Sequence, residues 1–75
     1  MIHINDFILT VEGCDILYKV LFHDELYTFE PQDGGTNQSF SIRRINNDWI
    51  PEDSIGETLA NQAIKKLDDY LFSQH

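Results

Sequence analysis

Two hydrophobic periods follow one another along this 75-residue chain, and their order limits the folds that it can adopt. Residues 7–45 alternate apolar and polar side chains, as strands with one buried face do. Residues 54–72 instead repeat apolar side chains at helical spacing. Strands followed by one helix predict an antiparallel sheet with that helix laid across one of its faces.

Turn residues divide the first region into four strands. The breaks are the Gly and Asp residues of 12–15, the polar segment 23–25, Pro31 with the loop that follows it, and the polar run 46–48. The predicted strands are 7–11, 16–22, 26–30 and 39–45. Because the connections are short, we expect an α+β fold, a four-stranded meander with one C-terminal helix (ββββα), in a single domain of residues 1–75.

The predicted helix opens with a capping box. Ser54 would accept a hydrogen bond from the backbone three residues on, and Glu57 would reach back to it. The apolar stripe that follows consists of Gly56, Leu59, Ala60, Ala63, Ile64, Leu67, Tyr70 and Leu71. Trp49, shortly before the helix, is interpreted as a hydrophobic staple or a lid over the core.

Side-chain alternation assigns one face of the sheet to the core beneath this helix. The predicted core residues are Phe7, Leu9, Val11, Tyr18, Val20, Phe22, Tyr27, Phe29, Phe40 and Ile42. The opposite face would carry Ile8, Thr10, Leu17, Lys19, Leu21, Leu26, Thr28, Arg43 and Ile45. Because one helix covers only one face, the aliphatic side chains of this second group are expected to stay uncovered in the monomer.

These uncovered aliphatic side chains are the main indication of function, because they exceed what scattered surface apolar residues require. They predict a non-enzymatic, cytoplasmic protein-interaction module that binds a protein partner or a second copy of itself. The predicted partner-binding residues are Ile8, Leu17, Lys19, Leu21, Leu26, Arg43 and Ile45. The alternative is that the sheet curls and these residues pack on one another and on Lys and Thr stems.

The charge distribution gives a second functional hypothesis. Residues 1–53 hold ten acids and three bases, and so carry −7 of the net charge of −8. Such a surface repels phosphate backbones and anionic lipids, so neither nucleic acid nor a membrane is an expected partner. The alternative function is that of an acidic antagonist that imitates nucleic acid and occupies a basic protein. Solubility alone is the simpler explanation of the acidity.

The ββββα order is similar to that of PUR-type repeats and whirly domains. This resemblance of topology implies binding of single-stranded nucleic acid on the sheet face. Lys19, Arg43 and Arg44 are too few to follow a phosphate backbone, which argues against that function. Arg43 and Arg44 fall on a predicted edge strand, where charge discourages pairing with other chains.

No catalytic set, cofactor or metal site is predicted. Gly34 and Gly35 do not precede a helix, so they lack the dipole of a phosphate-binding loop. His23, Asp24, Glu25 and Asp48 are expected at one end of the sheet, near Glu52 and Asp53. Whether they hold a cation stays open, although their spacing does not match a calcium-binding loop and solvated turn carboxylates are commoner.

The expected location of the chain is a reducing cytoplasm. Its first residues show no basic segment and no cleavage site of a signal peptide. The apolar runs are far shorter than a membrane span. Cys14 is the only cysteine, so no internal disulfide can form.

Overall fold

The computed structural model describes residues 2–32, 38–53 and 55–73, and within them the chain forms one five-stranded sheet and one helix. The elements are β1 (Ile2–Val11), β2 (Cys14–His23), β3 (Leu26–Pro31), β4 (Phe40–Ile45), β5 (Asp48–Pro51) and α1 (Glu57–Ser73). The strands pair antiparallel in chain order. The predicted α+β fold with an antiparallel sheet and a C-terminal helix is confirmed.

The predicted number of four strands is wrong, because β5 returns alongside β4. Asn46 and Asn47 have φ angles of +49° and +71°, the left-handed pair of a two-residue type I′ hairpin. Asn tolerates this conformation better than most residues, so the polar run taken as the end of the sheet is a turn.

The element order is βββββα, which departs from the order shared with PUR-type repeats and whirly domains. β4 is an interior strand, so the prediction of Arg43 and Arg44 on an edge is wrong.

β1 begins at Ile2 rather than at residue 7 because an irregularity hides its first part from an alternation pattern. The register shifts between His3 and Asn5, which leaves Ile4 as an extra residue in a bulge. Before the bulge, Ile2 pairs with Phe22 and so lies on the core side of the sheet. After the bulge, even-numbered residues such as Ile8 point away from the core. A bulge reverses the phase of a strand, and a period of two cannot be followed through it.

The core lies between α1 and one face of the sheet. Its buried members are Phe7, Leu9, Tyr18, Val20, Tyr27, Phe29, Phe40 and Ile42 from the sheet, with Ala60, Ala63 and Leu67 from α1. Val11 and Phe22, which were also predicted, pack partly buried at its margin. The small side chains of Ala60 and Ala63 let the helix axis approach the aromatic residues of the sheet closely.

α1 begins at Glu57, three residues later than predicted. The carbonyl oxygen of Gly56 accepts a hydrogen bond from the Ala60 N–H at 3.0 Å, which makes Gly56 the N-cap residue. Ser54, the predicted cap, lies outside the described residues, so the capping box remains a prediction. The helix ends at Ser73, whose hydroxyl donates to the carbonyl oxygen of Tyr70 at 2.8 Å.

Two polar side chains of α1 bind the outer edge of β1. Gln62 Nε2 donates to the carbonyl oxygen of Thr10 at 2.7 Å, and Gln62 Oε1 accepts from the Thr10 N–H at 2.8 Å. The Tyr70 hydroxyl donates to the carbonyl oxygen of Ile4 at 3.3 Å. The outer backbone groups of an edge strand otherwise offer a template to another chain. Gln62 therefore occupies the position that a neighbouring strand would take.

Replacing Gln62 by alanine is expected to lower the free energy of unfolding by about 1–2 kcal/mol, because its two hydrogen bonds to the backbone of Thr10 are lost. Loss of this cover should also raise the tendency to self-associate through β1. Urea denaturation and sedimentation velocity measure the two effects. Asn61→Ala is the matched control, since it removes an amide from the neighbouring exposed position of the same helix. Equal unfolding midpoints for the two variants would show that Gln62 does not hold this edge.

Candidate functional site

We call the side of the sheet that faces away from α1 the open face. The predicted partner-binding residues all lie on it, namely Ile8, Leu17, Lys19, Leu21, Leu26, Arg43 and Ile45. The alternation is clear along β1, where Leu9 is fully buried and the adjacent Ile8 is 56% exposed. It is equally clear along β2, where Tyr18 is 1% exposed and Leu17 is 45% exposed.

Apolar side chains form a band across the open face. Ile8 and Leu17 are partners on neighbouring strands at one end of this apolar band. Leu21 and Leu26 are partly buried in its middle, on β2 and β3. The far end consists of exposed side chains on β4 and β5, Ile45 and Ile50. The aliphatic stem of Lys19 and the side chain of Arg43 lie within the band, so it is continuous only through these stems.

Ile50 belongs to the apolar band, although sequence analysis does not find it. It lies opposite Arg43 on β5 and is 44% exposed. The segment that contains it was interpreted as a lead into the helix, not as a strand. The signal was present in the sequence, because Asn46-Asn47 followed by Trp49 and Ile50 matches two turn residues between β-prone segments.

Several polar side chains of the open face bind one another. Arg43 Nε donates to Glu52 Oε1, and Arg43 Nη1 lies 3.4 Å from the carbonyl oxygen of Asp24. The hydroxyls of Thr28 and Ser41 form a hydrogen bond of 3.1 Å between β3 and β4. The charge of Arg43 is thus balanced within the chain, and this part of the face has a fixed polar pattern.

The open face is acidic. Within the part of the chain that the structure describes, it carries five carboxylates against two side-chain cations: Asp6, Asp15, Glu30, Asp48 and Glu52 against Lys19 and Arg43. In the strand register Lys19 lies between Asp6 on β1 and Glu30 on β3, so carboxylates flank it on both sides. His3 Nε2 lies 2.7 Å from Asp6 Oδ1. A ligand of this face therefore meets an excess of negative charge.

Both edges of the sheet discourage the addition of a further strand. Gln62 and Tyr70 bind the outer edge of β1 at two points, the backbone of Thr10 and the carbonyl oxygen of Ile4. On the other edge, the Glu52 N–H donates to the Ser41 carbonyl oxygen of β4 at 2.9 Å. Because backbone groups alternate in direction along a strand, those of Ile50 point toward β4 and those of Pro51 point away from the sheet. Pro51 has no N–H to donate, and β5 has only four residues. Short edge strands and proline are common means of preventing strand addition.

The acidic residues considered as cation ligands do not converge. His23 Nε2 lies 3.1 Å from Asp24 Oδ2, at the turn between β2 and β3. Glu52 and Asp53 follow β5, which runs away from the turn at 46–47, so the expectation that they share an end with His23 is wrong. Among the described residues, no three His, Cys, Asp or Glu side chains form a group that could hold a metal ion.

An open cavity of about 380 Å³ lies between the tips of the β2–β3 and β4–β5 hairpins, lined by Phe22, Glu25, Tyr27, Arg44, Ile45, Asn46 and Asn47. The guanidinium group of Arg44, the cationic side chain that lines this cavity, already has partners. It stacks on the Trp49 ring at 4.3 Å and lies 3.5 Å from Asp68. Trp49 Nε1 donates to Asp68 Oδ1 at 2.7 Å, which ties β5 to α1. Burial raises the pKa of the Tyr27 phenol, and the Arg44 charge opposes this rise. These contacts explain the cluster as packing at the end of the core.

Among the described residues, no helix is long and apolar enough to cross a membrane. Comparison with protein-family models, with curated proteins and with solved structures found no match. The functional argument therefore rests on the geometry and charge of the open face.

Proposed function

We propose that this protein is a non-enzymatic interaction module whose open face binds a partner protein. The observation that supports this most is the exposure of Ile8, Leu17 and Ile50 on a sheet whose two edges are protected. Covering such side chains is favourable, because burial of apolar surface contributes about 25 cal/mol per Å².

We also propose that the module works in the cytoplasm. Cys14 is an exposed free thiol at the start of β2. A reducing compartment keeps such a thiol from forming disulfides with other molecules, whereas an oxidising compartment does not.

The test of the open face uses the double variant Ile8→Thr with Leu17→Thr. Threonine favours strands, so the fold should persist while the exposed apolar area falls. The matched control is Ile2→Thr with Phe72→Thr, which removes two apolar side chains that are 65% and 83% exposed elsewhere. Circular dichroism and urea denaturation should show that both variants fold as the unmodified chain does.

The measurement is affinity capture from cell lysate, followed by binding and amide-shift mapping with each purified candidate. A genuine partner is retained by the unmodified chain and by the control variant, and it loses about tenfold or more in affinity for the open-face variant. Its binding should shift the amide signals of Ile8, Leu17 and Lys19. If every captured protein binds the open-face variant equally well, or shifts only signals of α1, the proposed function is wrong.

A further inference from the structure

The apolar band has a direction and a length that restrict what can cover it. From Ile8 on β1 to Ile50 on β5 it crosses four strand spacings, about 19 Å, and advances about 20 Å along the strands. The diagonal is therefore about 28 Å, the length of a helix of about 18 residues. The chain covers the other face of the same sheet with a helix of similar length, since α1 has 17 residues.

The protected edges restrict the backbone of the occupant. An extended peptide that adds to a sheet gains its affinity from backbone hydrogen bonds to an edge strand. On the open face no such backbone groups are offered, because those of the strands point within the plane of the sheet. An extended segment there would bury its own N–H and C=O groups without partners. A helix satisfies these groups internally and needs only an apolar side to dock.

The charge restricts the side chains of the occupant. Carboxylates lie on both sides of the apolar band, with Asp15 and Glu30 toward one side and Asp6 and Asp48 toward the other. A helix with Lys or Arg beside its apolar stripe would meet opposite charge along both flanks. A second copy of this chain would bring the same acidic face and a net charge of −8.

The area of the face also argues against a second copy. The five strands have 36 residues, which present roughly 570 Å² in projection at about 3.3 Å per residue and about 4.8 Å between strands. A stable protein–protein interface needs about 800 Å² from each partner. A single helix fits the smaller area, whereas two copies placed face to face would fall short of the area that a stable interface needs.

We infer that the open face binds a basic amphipathic helix of a partner protein, laid along the apolar band from Ile8 to Ile50. This inference rests on the proposed function and specifies its ligand. The bound helix completes a three-layer arrangement in which each face of the sheet is covered by one helix. Its apolar stripe contacts Leu17 and Leu21, and its cations lie near Asp6 and Glu30.

The test uses synthetic peptides of about 18 residues, the length of the band. The first contains Leu on one helical face and Lys on the others. A second has the same composition in an order without an apolar face, and a third has Glu in place of Lys. Fluorescence anisotropy gives the affinities, and amide-shift mapping with circular dichroism locates the peptide and reports its helicity.

The Leu–Lys peptide is expected to gain helicity on binding and to shift the amides of Ile8, Leu17 and Ile50. Its affinity should exceed those of the reordered and Glu-containing peptides about tenfold or more, a difference of about 1.4 kcal/mol. The variant Ile8→Thr with Leu17→Thr should lose a similar factor, and the control Ile2→Thr with Phe72→Thr should lose none. The double variant Asp6→Asn with Glu30→Gln should lower the affinity for the Leu–Lys peptide. It should also make that affinity less sensitive to salt concentration.

Equal binding of the ordered and reordered peptides would overturn the inference, because it would mean attraction of charge without a docking surface. Binding by the Glu-containing peptide, shifts confined to α1, or a stable dimer that buries the open face would overturn it as well. A captured partner that maps to the open face through an acidic or non-helical segment would refute this inference and leave the proposed function standing. Capture that is indifferent to the open-face variant would refute the proposed function itself.

Discussion

The variant Phe29→Ala is expected to lower the free energy of unfolding by about 3–5 kcal/mol, the cost of removing a buried aromatic ring from a core. Phe29 has no exposed surface and lies at the centre of the aromatic cluster. Its ring stacks on Phe40 with centroids 4.8 Å apart, and it packs edge-on against Tyr18 at 6.3 Å. Its loss leaves a cavity between β2 and β4 that these rigid rings fill only in part.

Urea denaturation followed by tryptophan fluorescence measures this effect. The total stability of a 75-residue domain is about 4–11 kcal/mol, so the variant should be marginally folded. Phe72→Ala is the matched control, since the same change at a side chain that is 83% exposed should cost under about 0.5 kcal/mol. Comparable losses for the two variants would mean that the aromatic cluster is not the centre of the core.

The second large effect is expected for Leu67→Ala, at about 2–4 kcal/mol. Leu67 is the largest fully buried side chain that α1 contributes to the core. The two other buried residues of the helix, Ala60 and Ala63, are small, so the docking of α1 depends strongly on Leu67. Its truncation removes apolar contact from the layer between helix and sheet.

Leu17→Ala is the matched control for Leu67→Ala, because it makes the same chemical change on the open face. Leu17 is 45% exposed, so its truncation should cost under about 1 kcal/mol. Chemical denaturation of both variants under one set of conditions gives the comparison. If Leu17→Ala proves as costly as Leu67→Ala, then Leu17 is buried in solution, and the description of the open face as uncovered is wrong.

Alternation and helical spacing were sufficient to predict the fold class and the core. Tyr18, Val20 and Phe29 were assigned to the core from their phase alone, and each is almost fully buried. The same phase predicted which side chains point away from the helix, among them Ile8 and Leu17. This succeeded because the side chains of a regular strand must alternate between its two faces, whatever packs on them.

Irregular backbone limited the prediction of the remaining strands. The bulge at Ile4 reverses the phase of β1, so the start of this strand was not found. The Asn46-Asn47 pair was interpreted as a stop, although its left-handed φ angles make it a turn. With β5 missing, Ile50 was absent from the predicted site, and β4 was taken for an edge.

The sequence by itself determined the strands with regular alternation, the helix stripe and the acidic character, because these depend on residues near each other in the chain. The tertiary structure alone decided how the edges are closed. Gln62 binds the backbone of Thr10 across 52 positions, and no local pattern encodes such a pair. The number of strands was also decided there, because Asn46-Asn47 gives only a local turn signal and β5 exists through its pairing with β4. A strand of four residues has too few side chains to show a period, and its ladder of hydrogen bonds stabilises it instead.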